Sequence, residues 1–173
     1  LAMTAGLRYV AMSPGIETVL VRSFAFGVTV IAVTALLPLL TLDHLAGGPL
    51  TYGLMLGCFG AGAIMGAFLS GRLREILSSE WIVRLAFVGF AACAITCALS
   101  GSAPLTGAAM VLGGACWVLA LSLFNITVQL STPRWVVGRA LALYQTATFG
   151  GMALGAWLWG SVAESHGSAT ALI

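Results

Sequence analysis

The chain has 173 residues, of which 60% are hydrophobic and 7% charged, with a mean hydropathy of +1.07 and a formal charge of +2. A soluble domain carries roughly 25% charged residues, so seven arginines and five acids cannot cover a water-exposed surface of this size. The composition excludes a soluble globular domain and makes the lipid bilayer the main partner; the small net charge gives no reason to expect nucleic acid.

A helix needs about 20 apolar residues to cross the hydrocarbon core. Runs that meet this predict transmembrane spans at about 17–41, 51–70, 82–100, 105–130 and 140–162, with a sixth beginning near Ala169. The fold class is therefore all-α, a polytopic transmembrane helical bundle. The breaks between runs carry turn and charge signals: His44 to Pro49, Gly71 to Glu80, Ser100 to Pro104, and Ser131 to Arg139. Loops this short make each helix antiparallel to the next and predict that consecutive helices pack together. Thr132 followed by Pro133 reads as an N-cap and first helical residue for the fifth span. The chain opens on Leu1 and closes on Ile173 within a new apolar run, so a longer polypeptide is expected.

Alternating the spans across the membrane puts Arg8, Arg22, Arg72, Arg74, Arg84, Arg134 and Arg139 on one side. Asp43, His44, Glu164 and His166 fall on the other. The positive-inside rule then predicts a multi-pass protein of the inner (plasma) membrane with its arginine-bearing loops in the cytoplasm. The four cysteines, Cys58, Cys93, Cys97 and Cys116, all lie within apolar runs and read as small core residues rather than a disulfide or metal site. Asp43, His44, Glu164 and His166 read as solvated loop groups.

Two spans echo each other. Gly62 to Gly71 and Gly151 to Gly160 both fit G-x-x-x-G-A-[F/W]-L-x-G, each preceded by a Phe-Gly pair. An inverted three-plus-three repeat would give this pattern, and so would chance similarity between Gly/Ala-rich helices. On either reading Gly62, Gly66, Ser70, Gly151 and Gly155 predict helix-packing seams, because glycines four apart let a neighbouring backbone approach.

The spans carry no charge near their middles, and their polar content is neutral. Ser122, Asn125 and Gln129 share one helical face of the fourth span; Gln145 and Thr148, with Tyr144 beside them, share one of the fifth. Amides facing lipid would leave hydrogen bonds unmet, so these faces point into protein or a wet cavity. They either line a substrate pathway or bond helices together. Thr29 and Thr34 are weaker candidates, because a Thr hydroxyl can bond its own helix. Metalloprotease, nucleophile-elbow and phosphate-loop motifs are missing, so an enzyme is not expected.

Several stretches resemble the Major Facilitator Superfamily of transporters, and most closely its bacterial branch of transmembrane secretion effectors, which includes enterobactin-exporter-like proteins. They are Gly6-Leu7-Arg8-Tyr9-Val10, Tyr52 to Gly57 with Gly60 to Ala63, Pro133 to Ala140, and Gly150-Gly151 with Gly155. The resemblance covers nearly the whole chain and implies the C-terminal half of such a transporter, helices seven to eleven and the start of twelve. It further implies alternating access about a midplane site, with an N-terminal six-helix half of the same polypeptide as partner. No cofactor is implied; an ion gradient, of protons, would drive export of a small molecule. The loop after the second span departs from the family's G-x-L-x-D-R-x-G-R-R motif: Gly71, Leu73 and Glu75 match, while Ile76, Ser78 and Ser79 do not. Arg72, Arg74, Glu75, Arg134 and Arg139 are the candidates for what remains of a cytoplasmic loop latch. A non-transporting membrane scaffold or assembly subunit is the alternative from a different class.

Overall fold

The structure, a computed structural model, describes residues 14–43, 48–167 and Leu172. Expectations that fall on Gly6 to Val10, on the side chains of Asp43, His44 and His166, or on a sixth span from Ala169 lie outside the described residues.

Five helices follow one another: α1 (Pro14–Asp43), α2 (Pro49–Ile76), α3 (Ser79–Leu99), α4 (Ala103–Leu130) and α5 (Val137–His166). Four of these, α1 to α4, are long and apolar enough to cross a membrane by length and composition. The fifth is as long as α1, at 30 residues, but its first half carries Tyr144, Gln145, Thr146 and Thr148, which dilute its apolar run.

Two boundaries differ from the sequence expectation for a physical reason. Helix α2 runs on through Gly71 to Ile76, absorbing most of the expected break. Arg74 Nε donates to the Ser70 carbonyl one turn back at 2.9 Å, so this charged end satisfies itself as helix. Helix α5 begins at Val137 rather than Pro133. The Pro133 carbonyl accepts from Val136 N at 2.9 Å, closing a separate turn, and the Thr132 hydroxyl donates back to the Val128 carbonyl at 2.6 Å instead of capping forward.

The pairing of helices also departs from chain order. Consecutive helices α1 and α2, and α2 and α3, barely touch, whereas α2 lies along α4 and α1 along α5. Among the described helices, only α3 and α4 are both consecutive and closely packed. Short loops constrain direction, but closeness goes to whichever faces lack side chains.

Those faces are glycine. A Cβ on Gly66 would come within 2.5 Å of the Ala115 carbonyl oxygen, and one on Gly62 would overlap the Val111 carbonyl. Across the same seam a Cβ on Gly114 would strike the Phe59 carbonyl and, at 2.9 Å, the Ala63 nitrogen. The α1–α5 seam has the same parts. A Cβ on Gly155 would come within 2.5 Å of the Val28 carbonyl oxygen, and one on Gly151 would overlap that of Phe24. A Cβ on Gly27 would meet the Thr148 carbonyl and, at 3.2 Å, the Met152 nitrogen. In each seam the two helices run parallel, and the two seams run in opposite senses. Helix α2 corresponds to α5, and α4 to α1, contact by contact. In lipid such close backbone approach gains dispersion contacts that hydrocarbon tails do not supply.

Helix α3 joins α4 by a different device. The Cys116 sulfur sits over Gly89, and the Cys93 sulfur sits over Gly113, so each thiol fills the other helix's notch. Cys93, Cys97 and Cys116 are buried and Cys58 is half-buried; all are free thiols. At the centre Phe26, fully buried, meets Phe87, Phe90, Trp117 and Phe124 with ring centroids 4.9 to 6.2 Å apart. Aromatic pairs at such spacing add roughly 0.5–1.5 kcal/mol each beyond burial.

Candidate functional site: a neutral polar cavity between α4 and α5

Helices α4 and α5 diverge where their polar faces meet, leaving a cavity of about 370 Å³. Ser122 and Asn125 come from α4; Tyr144, Gln145 and Thr148 come from α5. Gln129 lies one turn beyond and donates its amide to the Asn125 side-chain oxygen. Ser122, Asn125, Gln129, Tyr144, Gln145 and Thr148, six of the neutral polar residues singled out in the sequence, are thus at or beside one cavity.

Their hydrogen bonds separate structural from unspent groups. The Tyr144 hydroxyl, buried, donates across the gap to the Leu121 carbonyl at 3.2 Å and is an interhelical tie. The Thr148 hydroxyl donates to its own helix at the Tyr144 carbonyl, 2.9 Å away. Ser122 and Gln145, by contrast, make no hydrogen bond among the described residues. Asn125 also lines the cavity, and its amide nitrogen has no bonded partner among the described residues. A carboxamide held at membrane depth without a partner is costly unless water or a ligand supplies one.

The rest of the lining is apolar and aromatic: Trp117, Val118, Leu121 and Phe149. Sequence reasoning missed Trp117 and Phe149. Phe149 lies four residues after Gln145, so helical spacing alone could have flagged it, whereas Trp117 lies five before Ser122, off the spacing of that polar stripe. Among the described residues, no ionisable side chain other than Tyr144 lines the cavity.

Thr29 and Thr34 bond their own helix, the former to the Ala25 and Phe26 carbonyls at 3.2 and 3.0 Å, the latter to Ile31 at 3.3 Å. Ser70 likewise bonds the Ala67 carbonyl, at 2.8 Å, and is buried near the α2–α4 seam. The latch candidates are spread along the arginine-bearing end: Arg72, Glu75, Arg134 and Arg139 are exposed, and Arg74 is half-buried on its own helix. The ion-pair cluster that joins two helices there uses residues the sequence reading did not assign to a latch. Arg22 of α1 grips both Glu80 carboxylate oxygens, at 2.8 and 3.3 Å, and Arg84 stands 3.6 Å from the same carboxylate. The Arg84 guanidinium also lies 5.3 Å over the Trp81 ring. Fifty-eight residues separate Arg22 from Glu80, a distance over which no helical spacing rule speaks.

Apolar helices paired through glycine seams around a neutral, partly aromatic cavity define a multi-pass membrane protein of the transporter class. The family described as transmembrane secretion effector matches residues 1–173, and the chain belongs to that family, which is of the Major Facilitator type. Its function is transport across a membrane in secretion. No curated protein and no solved structure matches the chain.

Proposed function

We propose that this chain forms the C-terminal half of a proton-coupled exporter that moves a small, drug- or siderophore-like molecule by alternating access. The observation that carries the reading is the α4–α5 cavity: Ser122, Asn125 and Gln145 hold unspent hydrogen-bonding groups between the aromatic faces of Trp117 and Phe149. Such a wall recognises a neutral or amphipathic molecule with a flat apolar body and a polar edge. An ionised substrate would enter without a counter-charge, at high cost in a low-dielectric site.

On this reading the chain binds no cofactor and performs no catalysis; an ion gradient does the work. A six-helix N-terminal half of the same polypeptide faces α1, α2, α4 and α5 and carries the coupling carboxylate. The arginine-bearing loops lie in the cytoplasm and the protein sits in the plasma membrane, in accord with the positive-inside rule. Arg72, Arg74, Glu75, Arg134 and Arg139 line the cytoplasmic mouth, where they meet that second half.

The test is efflux from proteoliposomes of the full-length protein under an imposed proton gradient, across a panel of uncharged aromatic drugs and siderophores. Gradient-dependent efflux that falls with Gln145→Leu supports the reading. Absence of transport across the whole panel sinks it and favours a scaffold whose glycine seams serve packing alone.

A further inference from the structure

The five helices sort into two units by how they touch. Helices α2 and α4 share one glycine seam, and α3 is keyed to α4 by the Cys93 and Cys116 notches. Helices α1 and α5 share the other seam, which the Trp159 indole reinforces by donating to the Val28 carbonyl at 2.7 Å. Between these units packing is sparse.

Among the described residues, clefts lie along that boundary. Besides the polar one between α4 and α5, a cleft of about 210 Å³ lies between α1, α5 and α3, lined by Phe26, Thr29, Phe87, Phe90 and Trp159 and bordered by Leu172. A third, of about 200 Å³, lies between α1 and α2 at Pro38, Thr41 and Tyr52. A fourth, of about 80 Å³, lies between α1 and the α3–α4 pair beside Arg22, Glu80 and Thr127. Few contacts cross the boundary, so less dispersion attraction opposes relative motion there than along the glycine seams.

Three ties of different kinds can be named across it among the described residues. Phe26 of α1 inserts its ring among Phe87 and Phe90 of α3 and Trp117 and Phe124 of α4, the Trp117 ring lying nearly parallel at 17° and 6.0 Å. Tyr144 bonds Leu121. The third is the Arg22–Glu80 pair, with side chains 41% and 47% exposed, which solvent and a neighbouring charge can reach. The ring cluster keeps its contacts through a small rotation, because apolar contacts have no fixed direction. A two-pronged guanidinium–carboxylate pair does not.

We propose that the α1–α5 pair moves as one rigid unit against the α2–α3–α4 unit, with Phe26 as pivot and Arg22–Glu80 as the tie that holds the arginine-bearing end closed. Because Tyr144, Gln145 and Thr148 travel with α1 while Ser122 and Asn125 travel with α3, releasing the tie widens the polar cavity. Only this consequence for substrate access rests on the transport reading; the motion itself does not.

The test measures distances between spin labels in the full-length protein in nanodiscs. Cys58 is first replaced by Ala, the other three thiols being buried in helix contacts. Label pairs at Val21 and Ala142, and at Ile76 and Leu130, report within the two units; a pair at Ile76 and Ala142 reports across them. All of these positions are exposed. Glu80→Gln should lengthen the cross-unit distance by about 2 Å or more while both within-unit distances hold. The exchange Arg22→Glu with Glu80→Arg should return it to the wild-type value. An unchanged cross-unit distance in Glu80→Gln, within-unit distances that move as far as the cross-unit one, or failure of the exchanged pair to restore it would each overturn the proposal. Efflux measured on the same variants separates the two claims: loss of the transport reading leaves these distances as they are.

Discussion

The α1–α5 seam and the α4–α5 junction share a helix and differ in almost everything else. On one side α5 presents Gly151 and Gly155, and the α1 backbone comes so close that a single Cβ would overlap it. On the other it presents Tyr144, Gln145 and Phe149, and α4 stands off far enough to leave about 370 Å³. Side-chain size decides which face closes, and side-chain polarity decides what the open face can do. The closed face holds α1 and α5 together; the open face leaves polar side chains around a cavity.

The largest expected effect comes from forcing the closed face open. Gly155→Leu should push α5 off α1 and cost roughly 1–3 kcal/mol or more in overpacking, read as a lowered unfolding temperature in detergent. Gly160→Leu, where a Cβ meets nothing within 4 Å, should leave that temperature near wild type. Equal losses in the two variants would end the distinction between seam and surface.

Removing polarity from the open face should do the reverse. Gln145→Leu takes away an unbonded amide, so stability should hold or rise, while efflux should fall by about 10-fold if the lost bond is worth roughly 1.5 kcal/mol in recognition. An efflux loss that tracks a loss of folded protein would instead place Gln145 in the packing.

Two smaller changes sharpen the contrast further. Trp159→Phe keeps the ring but removes the donor to Val28, and should cost about 1 kcal/mol of stability on the closed side. Tyr144→Phe removes the bond to Leu121 across the open side, where membrane interhelical bonds average about 0.6 kcal/mol. Its stability loss should be the smaller, and a larger one would show that the junction is held tighter than its cavity implies.

Much of this contrast can be read from residue order. The G-x-x-x-G echo marks the seam faces of α2 and α5, and Ser122, Asn125 and Gln145 mark the open faces, because periodicity places residues on a helix side before any neighbour is known. What periodicity lacks is the neighbour. Gly62 and Gly66 do not say that they will meet Val111 and Ala115 rather than a residue of α1 or α3. Thr132 and Pro133 look like a helix start because local rules favour it, yet the Thr132 hydroxyl finds the Val128 carbonyl first. Glu75 matched a motif position, while the carboxylate that joins two helices is Glu80.

The sequence by itself determined that the chain lives in lipid, how many long helices it forms between residues 14 and 166, and which face of each is small, polar or greasy. Those are local properties: apolar length, side-chain volume and spacing along one helix. Only the tertiary structure decided that parallel partners two or four helices apart pack closest, that Phe26 reaches two helices at once, and that Arg22 finds Glu80. In a bilayer the hydrophobic effect does not choose between helix partners, because lipid is as apolar as any of them. The choice falls to how closely particular backbones and rings can fit, and that is settled in three dimensions.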